Sequence, residues 1–500
     1  MTLIGRLTHH ADVYPERTAL CWPGGDFSYA ALLTEIDLAT ELLRASGVKV
    51  LALDLENGPA WIALDIAALQ LGICLVPLPP FFSGGQQRHI LQRTGVQAVV
   101  TDDPDRLFQR AGVLPYGDRK PISLARQRLF WVTVDRRRVM TAVPAGIHKV
   151  TFTSGTTGEP KGVMLSWQQM QPVVESLVAA AGLRADDRHL TLLPLAVLLE
   201  NIGGVYAPLW AGASVALLAA EQVGMTGSSE VDAARMCQAL AAGRATTAIF
   251  TPQTLLGLVQ LLERDPQHPP SLRYAAVGGA PVSPRLLQRA AAVGLPVYEG
   301  YGLSECASVV CLNTLAHCRP GSVGRALPHV RLSISEEGEV LVGGVPFSGY
   351  LGEPSSGSSG CWRTGDLGEL DADGFLYLRG RRRNTLISAF GRNIAPEWVE
   401  RELMLEPEIV QAAVFGEARP FIVAIVVSGA GVTPAEIDTA LARCNRTLPD
   451  YARVFRWIRA DAPFSNVNGM LTGTGRIRRA AIFQHYRQPI ESLYNEVQSW

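Results

Sequence analysis

Cysteine is scarce in this chain, with eight in 500 residues. That is too few for a disulfide scaffold. Charge is also thin. Charged residues make up 18%, and 45 Lys plus Arg face 46 Asp plus Glu, for a net charge of -1. A protein that neutralises many phosphates carries a basic excess, so a dedicated nucleic-acid binder is excluded. With 47% hydrophobic residues the chain has material for a sizeable core and too little charge for disorder. Met1 to Arg17 holds a His pair and several charges but no apolar run of leader length. Residues 202–220 lack charge, yet they contain Gly203, Gly204, Pro208 and Gly212, and they are flanked by Glu200 and Glu221 rather than basic anchors. A buried helix, a glycine turn and a buried strand fit that stretch better than a membrane span. Internal repeats and low-complexity tracts are lacking too. The expectation is a cytoplasmic protein with no transmembrane segment, with peripheral membrane contact left open. Nothing in the sequence bears on oligomeric state.

What is present is an alternation of short strands and helices. Tyr29 to Ala45, Trp61 to Leu71 and Gln86 to Thr94 have helical spacing. Val48 to Leu55, Ile73 to Pro77 and Ala98 to Thr101 read as strands. The rhythm returns from Val231 to Tyr298 and predicts a parallel sheet covered by helices. Near Val330 the pattern changes to antiparallel hairpins, with turns at Glu337-Gly338 and Asp373-Gly374. Gly380 to Arg383 marks a plausible boundary. After it come a helix at Pro396 to Leu405, strands at Val410 to Phe415 and Ile422 to Val427, and a helix at Pro434 to Leu448. The last ~115 residues read as a small α+β domain.

The strongest local signal is Thr151 to Gly162. Apolar Val150 and Phe152 enter it and Val163 to Leu165 leave it. Between them stand Thr153, Ser154, Gly155, Thr156, Thr157, Gly158 and Lys161. Glycines let backbone N–H groups approach an anion, hydroxyls add donors, and lysine adds a mobile charge. A Walker A loop is ruled out, because Pro160 precedes Lys161 and Gly162 follows it. A Ser/Thr/Gly-rich surface loop has the same composition.

At this loop the chain resembles the adenylate-forming superfamily, which includes acyl-CoA synthetases, peptide-synthetase adenylation domains and beetle luciferases. Residues 153 to 162 match its Thr-Ser-Gly-Thr-Thr-Gly-x-Pro-Lys-Gly motif. Four further stations follow in the family's order: Tyr298 to Glu305, Trp362 to Asp366, Gly380-Arg381 through Gly391 to Glu397, and Asn468 to Arg476. The resemblance is strongest to fatty acyl-CoA synthetases. It implies an α/β chain. A large N-terminal domain of doubly wound sheets with a small β-barrel-like part (residues 1–382) would precede a small, mobile α+β C-terminal domain (residues 383–500).

The implied reaction activates a carboxylate with Mg-ATP to an acyl adenylate and pyrophosphate. Coenzyme A or a carrier-protein pantetheine then displaces AMP. Such chemistry needs cations and aligned donors more than a protein nucleophile. By resemblance, residues 153 to 158 and Lys161 would hold the β- and γ-phosphates, and Glu305 would coordinate Mg²⁺. Glu299, Gly300 and Gly302 belong to the same nucleotide station. Tyr301 would stack on adenine and Ser304 would contact the α-phosphate. Asp366 would accept from the ribose hydroxyls, and Arg381 would reach the ribose or α-phosphate. Read alone, Glu305 could be a surface carboxylate, Tyr301 core packing, Asp366 a turn residue and Arg381 part of a solvated basic run. Gly278, Gly279 and Ala280 resemble the small-residue loop beside the acyl group. Val197 stands where the long-chain enzymes usually carry His, and it also belongs to the implied acyl pocket, though it could be plain core. Arg383 falls at the hinge, and the Gly391 loop would enter for the thiol step.

One departure bears on mechanism. The family's C-terminal loop presents a lysine to the carboxylate and α-phosphate, and here that position is Arg476. Arginine keeps the charge but is a planar fork, not a compact ammonium. The expectation is that Arg476 performs the task, alongside Lys161 and Glu305 as catalytic groups. The substrate would be a medium- or long-chain fatty acid. The alternatives are a ligase loading an unusual secondary-metabolite acid onto a carrier protein, and an ATP-binding pseudoenzyme with weakened adenylation. Cys306, Cys311 and Cys318 near His317 have the wrong spacing for a structural zinc site.

Overall fold

The alternation of strand and helix builds two large sheets in this computed structural model. It describes residues 2–111, 116–134, 142–153, 160–226, 230–266, 271–344, 348–353, 360–472 and 475–495. The first sheet has nine strands, in the order Arg325–Ala326, Ser308–Leu312, Val297–Leu303, Tyr274–Val277, Thr247–Phe250, Arg188–Leu190, Ser214–Ala216, Thr18–Cys21 and Phe27–Ser28. Its centre is parallel. The second has seven strands, in the order Tyr116–Leu124, Gln127–Val134, Ala98–Thr101, Val50–Asp54, Cys74–Pro77, Lys149–Thr153 and Lys161–Leu165.

Helices fill the layer between the sheets. Tyr29–Ser46, Pro59–Leu71 and Trp167–Ala180 share one core cluster with strands of both sheets, through Leu32, Trp61, Met170, Leu51 and Val215 among others. Pro59 to Ala68 is buried without interruption. That explains a helix with apolar residues on every face. Tyr29–Ser46 is bounded by local chemistry: the Ser28 side chain accepts from the Ala31 amide, and Gly47 closes the helix at φ +65°. On the outer faces, Met236, Leu258 and Leu286 cover the nine-stranded sheet, and Ile90 and Leu107 cover the other. Both sheets are therefore doubly wound, as expected.

The hairpin region is a four-stranded antiparallel sheet of Arg331–Ile334, Glu339–Gly343, Cys361–Leu370 and Leu376–Arg381. It stands where the barrel-like part is expected, and isolated bridges Val163–Tyr350 and Arg325–Phe375 tie its surroundings to the large sheets. The small domain has a three-stranded sheet of Ile409–Phe415, Ile422–Ser428 and Val454–Arg459. Its central strand is apolar on both faces: Ile422, Ala424 and Val426 join one cluster, and Val423, Ile425 and Val427 join the other. Helices on both sides account for that pattern.

The uncharged stretch at 202–220 is buried, with a turn at Gly212 and a strand at Ser214–Ala216. It begins as a π-helix, Glu200–Tyr206, which the spacing does not reveal. Among the described residues no helix is long and apolar enough to cross a membrane.

Candidate active site

The phosphate-loop motif spans a hairpin. Lys149–Thr153 pairs antiparallel with Lys161–Leu165, so Thr153 faces Lys161 and Phe152 faces Gly162. Ser154, Gly155, Thr156, Thr157 and Gly158 lie outside the described residues. The stem is anchored from below. Buried Lys149 pairs with Asp65 at 2.9 Å, donates to the Tyr206 hydroxyl at 3.2 Å and bonds Asn201. A buried ammonium is tolerated only with partners of this kind.

Lys161 opens the next link. Its ammonium pairs with Glu353 at 2.8 Å and lies 4.8 Å from the centre of the Tyr350 ring. The Tyr350 hydroxyl donates to Glu305 Oε1 at 2.7 Å. Burial and the Glu305 charge push that phenol well up from its ordinary value, so it stays a donor. Lys161 and Glu305, far apart in sequence, are thus joined through one aromatic ring. Tyr350 and Glu353 belong to none of the motifs. Their only signal is tertiary, because the bridge between Val163 and Tyr350 lays their segment against the hairpin.

In the strand Val297–Leu303, Glu299 ends the parallel section and Gly300, Tyr301 and Gly302 run past its C-terminal end, where open α/β sheets bind ligands. Its last residues pair antiparallel with Ser308–Leu312. The approach is close enough that a Cβ on Gly302 would sit 1.8 Å from the Ser308 carbonyl oxygen. Ser304 and Glu305 follow in a short 3₁₀ turn, both half-buried. Buried Tyr301 donates its hydroxyl to Asp366 Oδ2 at 2.6 Å, and the Arg381 Nε meets Asp366 Oδ1 at 2.9 Å. Asp366 and Arg381 are direct partners in the Cys361–Leu370 and Leu376–Arg381 pairing. Hairpin register therefore fixes their contact.

Gly278, Gly279 and Ala280 follow the neighbouring strand Tyr274–Val277. Gly279 adopts φ +83°, and Ala280 is exposed. The small domain reaches this loop. Arg476 Nη2 donates to the Gly279 carbonyl at 2.8 Å. Arg476 is exposed by surface area, although protein atoms surround the guanidinium. Burial, then Arg381, push its pKa down, while Asp366, Glu305 and Glu397 oppose them. Arg476 therefore lies within electrostatic reach of Glu305, Asp366, Arg381 and Glu397.

Other contacts hold the two domains in this orientation. Ser283 donates to Glu402 at 2.8 Å, and Asn466 donates to the Phe81 carbonyl at 2.7 Å. Glu299 is buried, accepts from the Val282 amide, and lies against the Arg401 charge. Its carboxyl thus points to the domain interface, a placement the motif does not disclose.

Three expected site residues stand apart. Gly391 turns at φ +72° between Leu386–Ile387 and Asn393–Ile394, beside Arg419, with neighbouring Phe390 75% exposed. Arg383 sits in the exposed turn after Arg381, and its charge acts on Tyr350. Val197 is half-buried on a segment bonded to Pro194 and Asn201. Its neighbours Leu195 and Leu198 belong to the main core, so packing accounts for their apolar character. Among the described residues no three His, Cys, Asp or Glu side chains gather as a metal cluster.

The AMP-binding enzyme family model matches residues 7–353, and the AMP-binding enzyme C-terminal domain matches residues 383–498. The long-chain-fatty-acid–CoA ligase FadD15 of Mycobacterium bovis is 28% identical over 92% of both chains. The 2-succinylbenzoate–CoA ligase of Bacillus pumilus is 29% identical over 82% of this chain and 84% of its own. In fold, the chain matches the anthranilate CoA ligase AuaEII with a TM-score of 0.77, at 18% identity over 97% of both chains.

Proposed function

Since the chain belongs to the AMP-binding enzyme family, we propose that this cleft activates a fatty acid with ATP and passes the acyl group to coenzyme A. The enzyme is an AMP-forming acid–thiol ligase. In the first step a carboxylate oxygen attacks the α-phosphorus, and the bond to pyrophosphate breaks. In the second, a thiolate attacks the acyl carbon, and AMP leaves with the former carboxylate oxygen.

Two anions must meet in the first step, so its barrier is largely electrostatic. Lys161 and the stem of the glycine loop hold the outer phosphates. The Tyr301–Asp366–Arg381 chain fixes a carboxylate for the ribose hydroxyls, with Arg381 beside it. Glu305 offers the hard oxygen donors a divalent cation needs, and Tyr350 orients them. Glu305 would hold Mg²⁺ there, and the ion would neutralise phosphate charge. Ser304 lies next to it for the α-phosphate. Arg476 supplies the cation between carboxylate and α-phosphate, and Gly278 to Ala280 border the acyl group.

The observation that carries this reading is the Arg476 bond to Gly279, which closes the small domain over the cleft. We assign the thiol step to a second orientation, reached by rotation about Arg383, in which Arg476 leaves and the Gly391 loop enters. Likeness to a long-chain ligase over 92% of the chain supports a medium- or long-chain fatty acid. Mass spectrometry of reactions with Mg-ATP and acids from acetate to palmitate, plus aromatic acids, tests it. Each acid is run without thiol, with coenzyme A and with a pantetheinylated carrier protein. A fatty acyl-CoA is expected. Thioester from aromatic acids alone would overturn the substrate assignment, and thioester on the carrier alone would overturn the acceptor. Neither adenylate nor thioester would overturn the ligase.

A further inference from the structure

The small domain docks on one short segment of the large domain. That segment runs from Gly278 to Ser283, between the strand Tyr274–Val277 and the helix Pro284–Ala292. Arg476 donates to its Gly279 carbonyl, and Glu299, lying against Arg401, accepts from its Val282 amide. At its end the buried Ser283 hydroxyl donates to Glu402 at 2.8 Å, and Arg285 approaches the other carboxylate oxygen at 3.5 Å. Glu402 is itself buried. Yet among the described residues its carboxylate takes no hydrogen bond from its own domain, only the 3.8 Å approach of Arg401. Just beyond it, Leu405 enters the apolar cluster of Val282 and Leu286, whose other buried members all lie between Leu190 and Leu295. Glu402 and Leu405 thus find these partners in the opposite domain.

The same contacts are tied to Arg476 through the small domain. Glu402 lies in the last turn of the helix Pro396–Leu403. Two residues earlier on that helix, buried Glu400 accepts from Arg479 at 3.1 Å, and Arg479 also donates to the Val414 carbonyl at 2.8 Å. Arg479 stands three residues after Arg476. Docking of the helix therefore places the Arg476 loop. Truncating Glu402 would leave the Ser283 hydroxyl buried without this acceptor only while the domains are docked. The loss would fall on this orientation alone, because in any other water reaches both groups.

We propose that Glu402 is a positioning residue for the first half-reaction. Docked on Ser283, with Leu405 seated beside it, it sets Arg476 over the cleft, and it lets go for the thiol step. This rests on the ligase reading above and on its two domain orientations. Such a residue divides the reaction. Weakening the dock depletes the orientation that forms the adenylate and leaves the other no less populated. A residue that only supports the fold would affect both steps alike.

The test measures the two half-reactions apart in the full-length parent, E402A and E402Q. Adenylation is followed as decanoate-dependent pyrophosphate release in single turnovers without thiol. Transfer is followed as decanoyl-CoA formed from synthetic decanoyl adenylate and coenzyme A. E402A is expected to adenylate roughly tenfold or more slowly, with transfer at the parent's rate or faster. E402Q keeps an oxygen for the Ser283 hydroxyl and should recover most of the lost adenylation. Ser283 also accepts from the Arg285 amide, so S283A serves as the second variant. It should show the same division, and it carries the comparison if E402A does not fold. Equal slowing of both half-reactions, or adenylation at the parent's rate, would overturn the proposal and leave the ligase reading standing. If the parent forms neither pyrophosphate from decanoate nor decanoyl-CoA from the adenylate, the ligase reading fails and takes the inference with it.

Discussion

Arg476 of the small domain and Gly279 of the large domain are joined by a hydrogen bond of 2.8 Å from guanidinium to carbonyl. The bond joins the small domain to the cleft, alongside the Ser283–Glu402 and Asn466–Phe81 contacts, and delivers a cation to it. In the proposed two-step reaction the donor belongs to a domain that leaves for the thiol step, so the bond has to be reversible. A single charge-assisted bond to a neutral carbonyl meets that need, because it contributes only about 1.5–3 kcal/mol.

Removing that cation should slow the first half-reaction and spare nucleotide binding. Arg476→Ala is expected to lower the rate of acid-dependent pyrophosphate release by roughly tenfold or more, a loss of about 1.4 kcal/mol at the transition state. ATP affinity, measured by calorimetry, should stay nearly unchanged. Equal rates in variant and parent would exclude the role.

Tyr350 is expected to act through Glu305. Tyr350→Phe keeps the ring against Lys161 but removes the donor to the carboxylate. A hydrogen bond to a charged carboxylate contributes about 1.5–3 kcal/mol. The KM for Mg-ATP should therefore rise about ten- to a hundredfold. An unchanged KM across a magnesium titration would show that the bond does not prepare the site.

Asp366 holds Tyr301 and Arg381 at once. Asp366→Asn removes the charge and one acceptor while keeping the shape. ATP and AMP binding should both weaken by about ten- to a hundredfold, the range of charge-assisted hydrogen bonds. Because AMP shares the ribose, loss of ATP binding alone would point to the outer phosphates instead.

Glu299 gives a pH dependence with a fixed sign. Burial pushes its carboxyl up to about 8 from an ordinary 4.5, with Arg401 and the Val282 amide opposing. Between those values the folded chain holds a proton that the unfolded chain has lost. Stability contributed by this group is therefore complete below 4.5 and is lost as pH rises through about 8. E299Q keeps a neutral group and should flatten the slope. Urea denaturation at the two ends of this interval checks it, and an identical slope in parent and variant would contradict the assignment.

The legible parts of the molecule were those set by local chemistry. Helical spacing marks Tyr29 to Ala45, and the Asp373-Gly374 turn marks a hairpin, whose register, seen only in the structure, places Arg381 opposite Asp366. The glycine loop and its stem stand out because few other tasks need so many glycines and hydroxyls together. The helix Trp167–Ala180 was hidden by Pro172 within it, and the Tyr116–Val134 hairpin by Pro121 and a run of polar residues. Tyr350, Glu353 and Arg401 had no signal, because each reaches its partner only after distant segments meet. Glu299 was assigned by its motif, yet its buried carboxyl faces Arg401, which sequence spacing cannot show.

The most direct measurement follows one oxygen atom. A fatty acid labelled with ¹⁸O in its carboxylate is turned over with Mg-ATP and coenzyme A, and the products are weighed. The account predicts one labelled oxygen in AMP and none in pyrophosphate, because AMP leaves with the oxygen that attacked the α-phosphorus. Unlabelled AMP, or label in a released phosphate, would contradict an acyl adenylate intermediate in this cleft.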